Sequence, residues 1–104
     1  MTPTPSRTAT PTLLISLAAL GMVLGLIPGA NTVISSILSY ALEKKVAKDP
    51  SRFGNGAIEG VAGPESANNA HAGAALIPLF TLGIPGSAAT AVLLGGFIMH
   101  GLMP

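Results

Sequence analysis

The stretch Glu65-Ser-Ala-Asn-Asn-Ala-His71 stands before an apolar segment that is interrupted at Gly83-Ile-Pro-Gly-Ser87. Apart from two histidines, no side chain after Glu65 can carry a charge. Polar and ionisable groups are costly in lipid, so a membrane protein keeps them where something polar binds or crosses. The stretch therefore predicts an all-α integral membrane protein whose helices are broken at Pro-Gly motifs, as discontinuous or re-entrant helices.

The composition also places the chain in a membrane class. Of the 104 residues, 49% are hydrophobic and 9% are charged, whereas charged residues make up about 25% of a soluble domain. A net charge of +1, no tryptophan and one tyrosine provide neither the basic surface nor the stacking rings that nucleic acid requires. The absence of cysteine excludes disulfides, zinc–thiolate sites and a thiol nucleophile. We therefore expect a lipid bilayer, and no nucleic acid, as a partner.

The first part of the chain predicts a tail followed by a broken helix. Residues 1–12 are rich in proline and threonine and are predicted to be a disordered tail. Residues 13–42 are apolar, and as one helix they would measure about 45 Å, beyond a hydrocarbon core of about 30 Å. A break at Pro28-Gly29 resolves this excess, because proline interrupts the helical hydrogen bonds and glycine permits a turn. The alternative interpretation of this region is a signal peptide.

The second part predicts a cytoplasmic loop and another broken helix. Four basic residues between positions 43 and 52 place the loop 43–56 on the cytoplasmic side. Residues 57–104 are predicted to form a broken helix or hairpin, in which two apolar stretches of marginal length meet at Pro85-Gly86. The membrane domain is therefore expected over residues 13–104.

The two Pro-Gly breaks occur in similar sequences and predict a substrate site. Gly25-Leu-Ile-Pro-Gly-Ala-Asn-Thr32 resembles Gly83-Ile-Pro-Gly-Ser-Ala-Ala-Thr90, and paired interruptions of this kind point to transporter binding sites. A helix that restarts after a break has unpaired amides and a positive dipole end, which suit a carboxylate or phosphate. The predicted substrate-binding residues are Asn31, Thr32, Ser35, Gly86, Ser87 and Thr90. The alternative for Ser87 is that it only caps its own helix.

A second polar group is predicted to couple transport to an ion. Glu65, Asn68 and Asn69 share one helix face and offer oxygen ligands for Na⁺, while the carboxylate could instead carry a proton. The alternative is that Glu65 caps a helix that begins behind Pro64. We expect His71 and a second histidine, His100, to be hydrogen-bonded packing residues. No cofactor is expected beyond Na⁺ or H⁺ as the coupling ion, and no metal site.

Two other function classes fit the sequence less well. The sequence has no HExxH motif, P-loop or dinucleotide fingerprint, and Glu65, Ser66 and His71 lack the arrangement of a nucleophile with its base, so we predict that the chain is not an enzyme. A small structural or pore-type membrane protein is a different alternative, although it would not need paired Pro-Gly breaks or a polar cluster.

Several stretches together resemble the large membrane (permease) subunit of tripartite tricarboxylate transporters. The resemblance runs over about residues 17–104, and its motifs are Gly25-Leu-Ile-Pro-Gly29, Leu38-Ser-Tyr-Ala-Leu-Glu-Lys-Lys45, Phe53-Gly-Asn-Gly-Ala-Ile-Glu-Gly-Val-Ala-Gly-Pro-Glu65, Ala67-Asn-Asn-Ala70, Leu82-Gly-Ile-Pro-Gly-Ser-Ala-Ala-Thr90, Leu93-Leu-Gly95 and His100-Gly-Leu-Met-Pro104. The chain departs from the family pattern at Asn31-Thr32, where a Gly-Ala type pair is usual, and at His71, where a small residue is usual.

This resemblance implies a function and its partners. The family takes up tricarboxylates or related small carboxylates, driven by an ion gradient, across the bacterial inner membrane, where the subunit is multi-pass. It works with a periplasmic solute-binding protein and a small membrane subunit. Family members are several times longer, so residues 13–104 are expected to be part of a transporter membrane domain that needs the remainder of the large subunit. The alternative is a truncated fragment that does not transport.

Overall fold

The computed structural model describes residues 9–104, and over these residues the chain is all-α, as predicted. Its helices are α1 (Ala9–Gly25), α2 (Thr32–Val46), α3 (Glu59–Leu82) and α4 (Ala88–Met99), and a 3₁₀ turn (Pro50–Arg52) lies between α2 and α3. Both Pro-Gly pairs lie between helices, Pro28-Gly29 after α1 and Pro85-Gly86 after α3. Within this described part of the chain, no helix is both long and apolar enough to cross a membrane.

The helix boundaries differ from the predicted segments in three places. Residues 1–8 of the predicted tail lie outside the described residues, but residues 9–12 already belong to α1. Residues 43–46 were predicted to belong to the loop because they are rich in charge. They form the last turn of α2 instead, because the Glu43 side chain is buried against the other helices. Helix α3 begins at Glu59 and continues through Pro64 rather than starting behind it.

Helices α1 and α3 run parallel, and small residues let them approach closely. Ser66 donates from its hydroxyl to the Leu14 carbonyl at 3.1 Å near one end. Further along, a Cβ built on Gly21 would collide with the Ala67 carbonyl, and one built on Gly25 would lie 2.5 Å from the His71 carbonyl oxygen. Backbones approach this closely where a residue has no side chain to separate them, as small residues allow in membrane helix pairs.

Helix α2 runs antiparallel to α3 and places polar side chains in the interior. At one end the Ser35 hydroxyl contacts His71, and eight residues further along α2 Glu43 packs at Gly63. The 47–58 connection therefore lies at one end of the three-helix unit, and the two Pro-Gly connections lie at the other. This antiparallel arrangement positions the candidate site.

The distribution of polar and apolar side chains is inverted relative to a soluble protein. Ser35, Ser39 and Glu43 are at most 2% exposed. Large apolar side chains cover the outside instead, for example Ile15 at 70% and Val92 at 77% exposure. An apolar exterior of this extent indicates contact with another apolar phase or protein surface.

Candidate functional site

The two Pro-Gly connections contact each other directly. The Gly29 amide donates a hydrogen bond to the Gly86 carbonyl at 3.2 Å. Gly29 has a φ of +88°, a left-handed backbone conformation that residues other than glycine rarely adopt. The two similar sequences are therefore neighbours in space, although more than fifty residues separate them along the chain.

A cleft of about 450 Å³ opens where these connections meet. Helices α2 and α4 both begin at its edge, so the positive ends of two helix dipoles are near it. Its lining residues are Gly29, Asn31, Thr32, His71, Ala72, Ala75, Gly86, Ser87, Ala88, Ala89 and Thr90. Five of the six predicted substrate-binding residues are among them, and Ser35 is the exception.

At the start of α2, Asn31 acts as the N-cap. Its side-chain oxygen accepts from the Val33 amide at 3.0 Å and from the Thr32 hydroxyl at 3.3 Å. This is the usual role of asparagine at a helix start, where the first amides lack partners. The Thr32 hydroxyl bonds only this exposed oxygen within the described part of the chain, so it can turn to a ligand at little cost.

At the start of α4, Ser87 and Thr90 form a capping box. The Thr90 amide donates to the Ser87 hydroxyl at 3.2 Å, and the Ser87 amide donates to the Thr90 hydroxyl at 2.8 Å. Thr90 is 7% exposed, whereas Ser87 is exposed. The structure thus shows the capping role of Ser87, and a substrate role for it stays a prediction.

The wall of the cleft contains His71, which the sequence analysis treated as a packing residue. It is 3% exposed and hydrogen-bonded through both ring nitrogens, as expected. Because the Ala30 carbonyl can only accept, Nε2 carries the proton and donates to it at 3.1 Å. In the neutral ring Nδ1 then accepts from the Ser35 hydroxyl at 2.6 Å. Ser35 therefore reaches the cleft only through His71.

The predicted ion-coupling residues lie away from the cleft. Glu65 and Asn69 are exposed and Asn68 is half-buried on α3. The Asn69 side-chain NH₂ donates to the Glu65 backbone carbonyl at 2.9 Å. The alternative that Glu65 caps a helix behind Pro64 is wrong, because α3 begins six residues earlier, at Glu59.

A buried polar row on α2 includes two residues, Ser39 and Glu43, to which the sequence analysis assigned no site role. Ser35, Ser39 and Glu43 follow one another every four residues. The Ser39 hydroxyl and the Glu43 Oε2 are buried and have no hydrogen-bond partner among the residues that the structure describes. Burial first, and the nearby Glu59 carboxylate second, raise the pKa of Glu43 from 4.5 to about 7. The spacing was the available signal, but the adjacent lysines made Glu43 resemble a loop residue.

Comparison with known proteins extends these observations. Residues 2–104 match the profile of the tripartite tricarboxylate transporter TctA family. Two proteins of Agrobacterium vitis are similar: an "Uncharacterized protein in TAR-II ttuC' 3'region", 54% identical over 84 residues, and an "Uncharacterized 52.8 kDa protein in TAR-I ttuC' 3'region", 54% identical over 85 residues. These alignments cover 81% and 82% of this chain.

The same alignments span 35% of the first relative and 17% of the second, so the chain corresponds to a minor part of each. No solved structure matches the chain. The family match extends over nearly every residue and includes both segments that form the cleft. The resemblance noted from the motifs is thereby confirmed, and the chain belongs to the tripartite tricarboxylate transporter TctA family.

Proposed function

We propose that this chain forms part of a secondary active transporter that takes up tricarboxylates or related small carboxylates, and that the cleft contributes to the substrate site. The observation that carries the proposal is the contact between the two Pro-Gly connections, which brings the starts of α2 and α4 to one cleft. Carboxylates bind favourably at helix N-termini because free amides and the helix dipole both stabilise negative charge.

The membrane setting of this proposal rests on the inverted surface. Residues 13–42 and 57–104 enter the bacterial inner membrane as discontinuous or re-entrant segments, and the loop between them is cytoplasmic. Four basic residues of 43–52 support this orientation. The exposed apolar side chains of α1 and α4 support contact with lipid and with the remainder of the large subunit.

The assembly and the coupling ion are also proposed. Family membership supports a periplasmic solute-binding protein and a small membrane subunit as partners. The transporter uses Na⁺ or H⁺ as its coupling ion. The assignment of Glu65, Asn68 and Asn69 to this ion stays a prediction.

Thr32→Val tests the substrate site within the complete subunit and its partners. The valine keeps the shape but removes a hydroxyl donor at the cleft, and a hydrogen bond to a charged ligand contributes about 1.5–3 kcal/mol. We expect KM for a tricarboxylate in reconstituted vesicles to rise roughly ten- to a hundredfold.

Ser36→Ala is the matched control, because its hydroxyl lies on the same helix and bonds the Thr32 carbonyl at 3.1 Å without lining the cleft. The control should keep the KM of the unaltered protein. Equal KM values for Thr32→Val and the unaltered protein, at equal amounts of inserted protein, would remove Thr32 from the site.

A further inference from the structure

Helix α2 carries two buried oxygens that nothing in the described chain satisfies. The Ser39 hydroxyl is fully buried, and the Glu43 side chain is 2% exposed with Oε2 unpartnered. Native proteins pair nearly all buried polar atoms, and an unpaired one needs an explanation such as a missing ion or proton. These two are one helical turn apart on the same face, so the hydroxyl can reach the carboxylate.

Among the residues that the structure describes, no cation pairs with the Glu43 carboxylate. Its carboxylate packs at Gly63 of α3, where an added Cβ would lie 2.5 Å from Glu43 Cδ and 2.8 Å from Leu17 Cδ1 of α1. The nearest acid on α3 is Glu59, which instead pairs with Arg52 at 3.6 Å. Helix α1 has no ionisable side chain, and the lysines that follow Glu43 on α2 are exposed.

We propose that Glu43 and Ser39 form a proton-binding site between the three packed helices, connected to the cleft through Ser35 and His71. This deepens the proposed function, since it identifies the coupling ion as H⁺ and locates it. A proton is favoured over Na⁺ because the pair has three side-chain oxygens, whereas hard cations take about six or more. A serine hydroxyl can donate a hydrogen bond to a carboxylate and accept one from a carboxylic acid. The Ser39 hydroxyl can therefore bond the Glu43 side chain in both of its protonation states.

Polar side chains lie between this pair and the cleft, although no hydrogen bond among the described residues joins Ser39 to Ser35 or to Glu43. His71 lines the cleft and bonds Ser35 at 2.6 Å, and Ser39 and Glu43 follow at intervals of one helical turn. Glu43 therefore lies about 12 Å from Ser35 along α2, toward the basic connection. Loading is a simple equilibrium in which a carboxylate and one proton give a neutral carboxylic acid, with no other bond formed or broken.

Infrared spectroscopy tests the site directly and without transport. The chain is placed in lipid nanodiscs, and its carboxylic-acid band is followed between about pH 5 and about pH 9, two units on either side of the expected midpoint. We expect a band that titrates near neutral pH, is lost in Glu43→Gln and is kept in the control Asp49→Asn. Asp49 is an exposed acid of the connection, so its replacement removes the same charge from outside the helices.

Ser39→Ala provides a second measurement should Glu43→Gln fail to fold, which circular dichroism reports. Loss of the donor hydroxyl destabilises the carboxylate, so the midpoint should rise by about one pH unit. The proposal is overturned if no band titrates, if neither variant alters it, or if added Na⁺ at constant pH displaces the proton. A band that titrates as expected in a subunit that takes up no tricarboxylate would instead refute the proposed function and leave the proton site standing.

Discussion

The hydroxyl of Ser87 forms its hydrogen bonds within the first turn of α4. The sequence left two roles open for it, helix capping and substrate binding, and these can be separated by mutation. In the capping box it accepts from the Thr90 amide, while the Thr90 hydroxyl still accepts from the Ser87 amide. Ser87→Ala should therefore lower the free energy of unfolding by about 1 kcal/mol. Denaturant titration of the inserted protein measures the loss. A tenfold change in tricarboxylate affinity at unchanged stability would contradict the capping assignment and favour direct ligand contact.

The buried Glu43 makes stability depend on pH. Its pKa is raised from 4.5 to about 7, mainly by burial and secondarily by Glu59. Because the pKa is raised on folding, the folded state binds the proton more tightly than the unfolded state does. Below about pH 4.5 the side chain is protonated in both states, so its contribution to stability is fully present there. Stability falls as pH rises from about 4.5 to about 7 and then levels off. Unfolding measured across this range should show the decline, and Glu43→Gln should remove it. An unchanged slope in that variant would assign the pH dependence elsewhere.

The cleft residues were largely predictable from the sequence, whereas the buried row was not. Asn31, Thr32, Gly86 and Ser87 follow proline and glycine, and the chemistry of a restarting helix singles them out without any tertiary information. Glu43 precedes two lysines, so its local context resembles a solvated loop. Only the packing of α1 and α3 over it shows that it is buried, and such contacts lie far apart in sequence.

At the level of helices, the close α1–α3 contact depends on glycine. Gly21→Ala would drive a Cβ into the Ala67 carbonyl, which belongs to the α3 backbone and cannot move aside without shifting the helix. We expect a loss of about 1–3 kcal/mol in unfolding free energy from this overpacking. Gly73→Ala is the control, because its Cβ would meet open space on α3 and should add about 0.5–1 kcal/mol through helix propensity. Equal effects of the two substitutions would show that Gly21 is not at a tight contact.

Helix existence was easier to predict than helix extent. The Pro-Gly pairs fall between helices because proline lacks an amide donor and Gly29 adopts a positive φ. The ends that depend on packing were misplaced. Helix α2 runs to Val46 because Glu43 is held inside. Helix α3 continues through Pro64, its sixth residue, where proline lacks the amide that would bond the Gly60 carbonyl.

Across the whole molecule, the basic connection and the cleft lie at opposite ends of the three-helix unit, which makes orientation in the membrane testable. The chain has no cysteine, so Ser51→Cys introduces a single thiol in the exposed connection. Among the described residues the Ser51 hydroxyl bonds only Asp49, and the substitution should not disturb the fold. The positive-inside tendency predicts that this thiol faces the cytoplasm.

A membrane-impermeant maleimide should therefore label Ser51→Cys in inside-out vesicles and leave it unlabelled in intact cells. Gly73→Cys is the matched control, since its side chain would project from the middle of α3 into open space, where lipid should protect it from the reagent in both preparations. Labelling of Ser51→Cys in intact cells would show the opposite orientation. The cleft would then face the cytoplasm, and the proposed proton site would face the periplasm. Rapid labelling of Gly73→Cys in both preparations would show that α3 lies outside the bilayer, because a thiol reacts only where water reaches it.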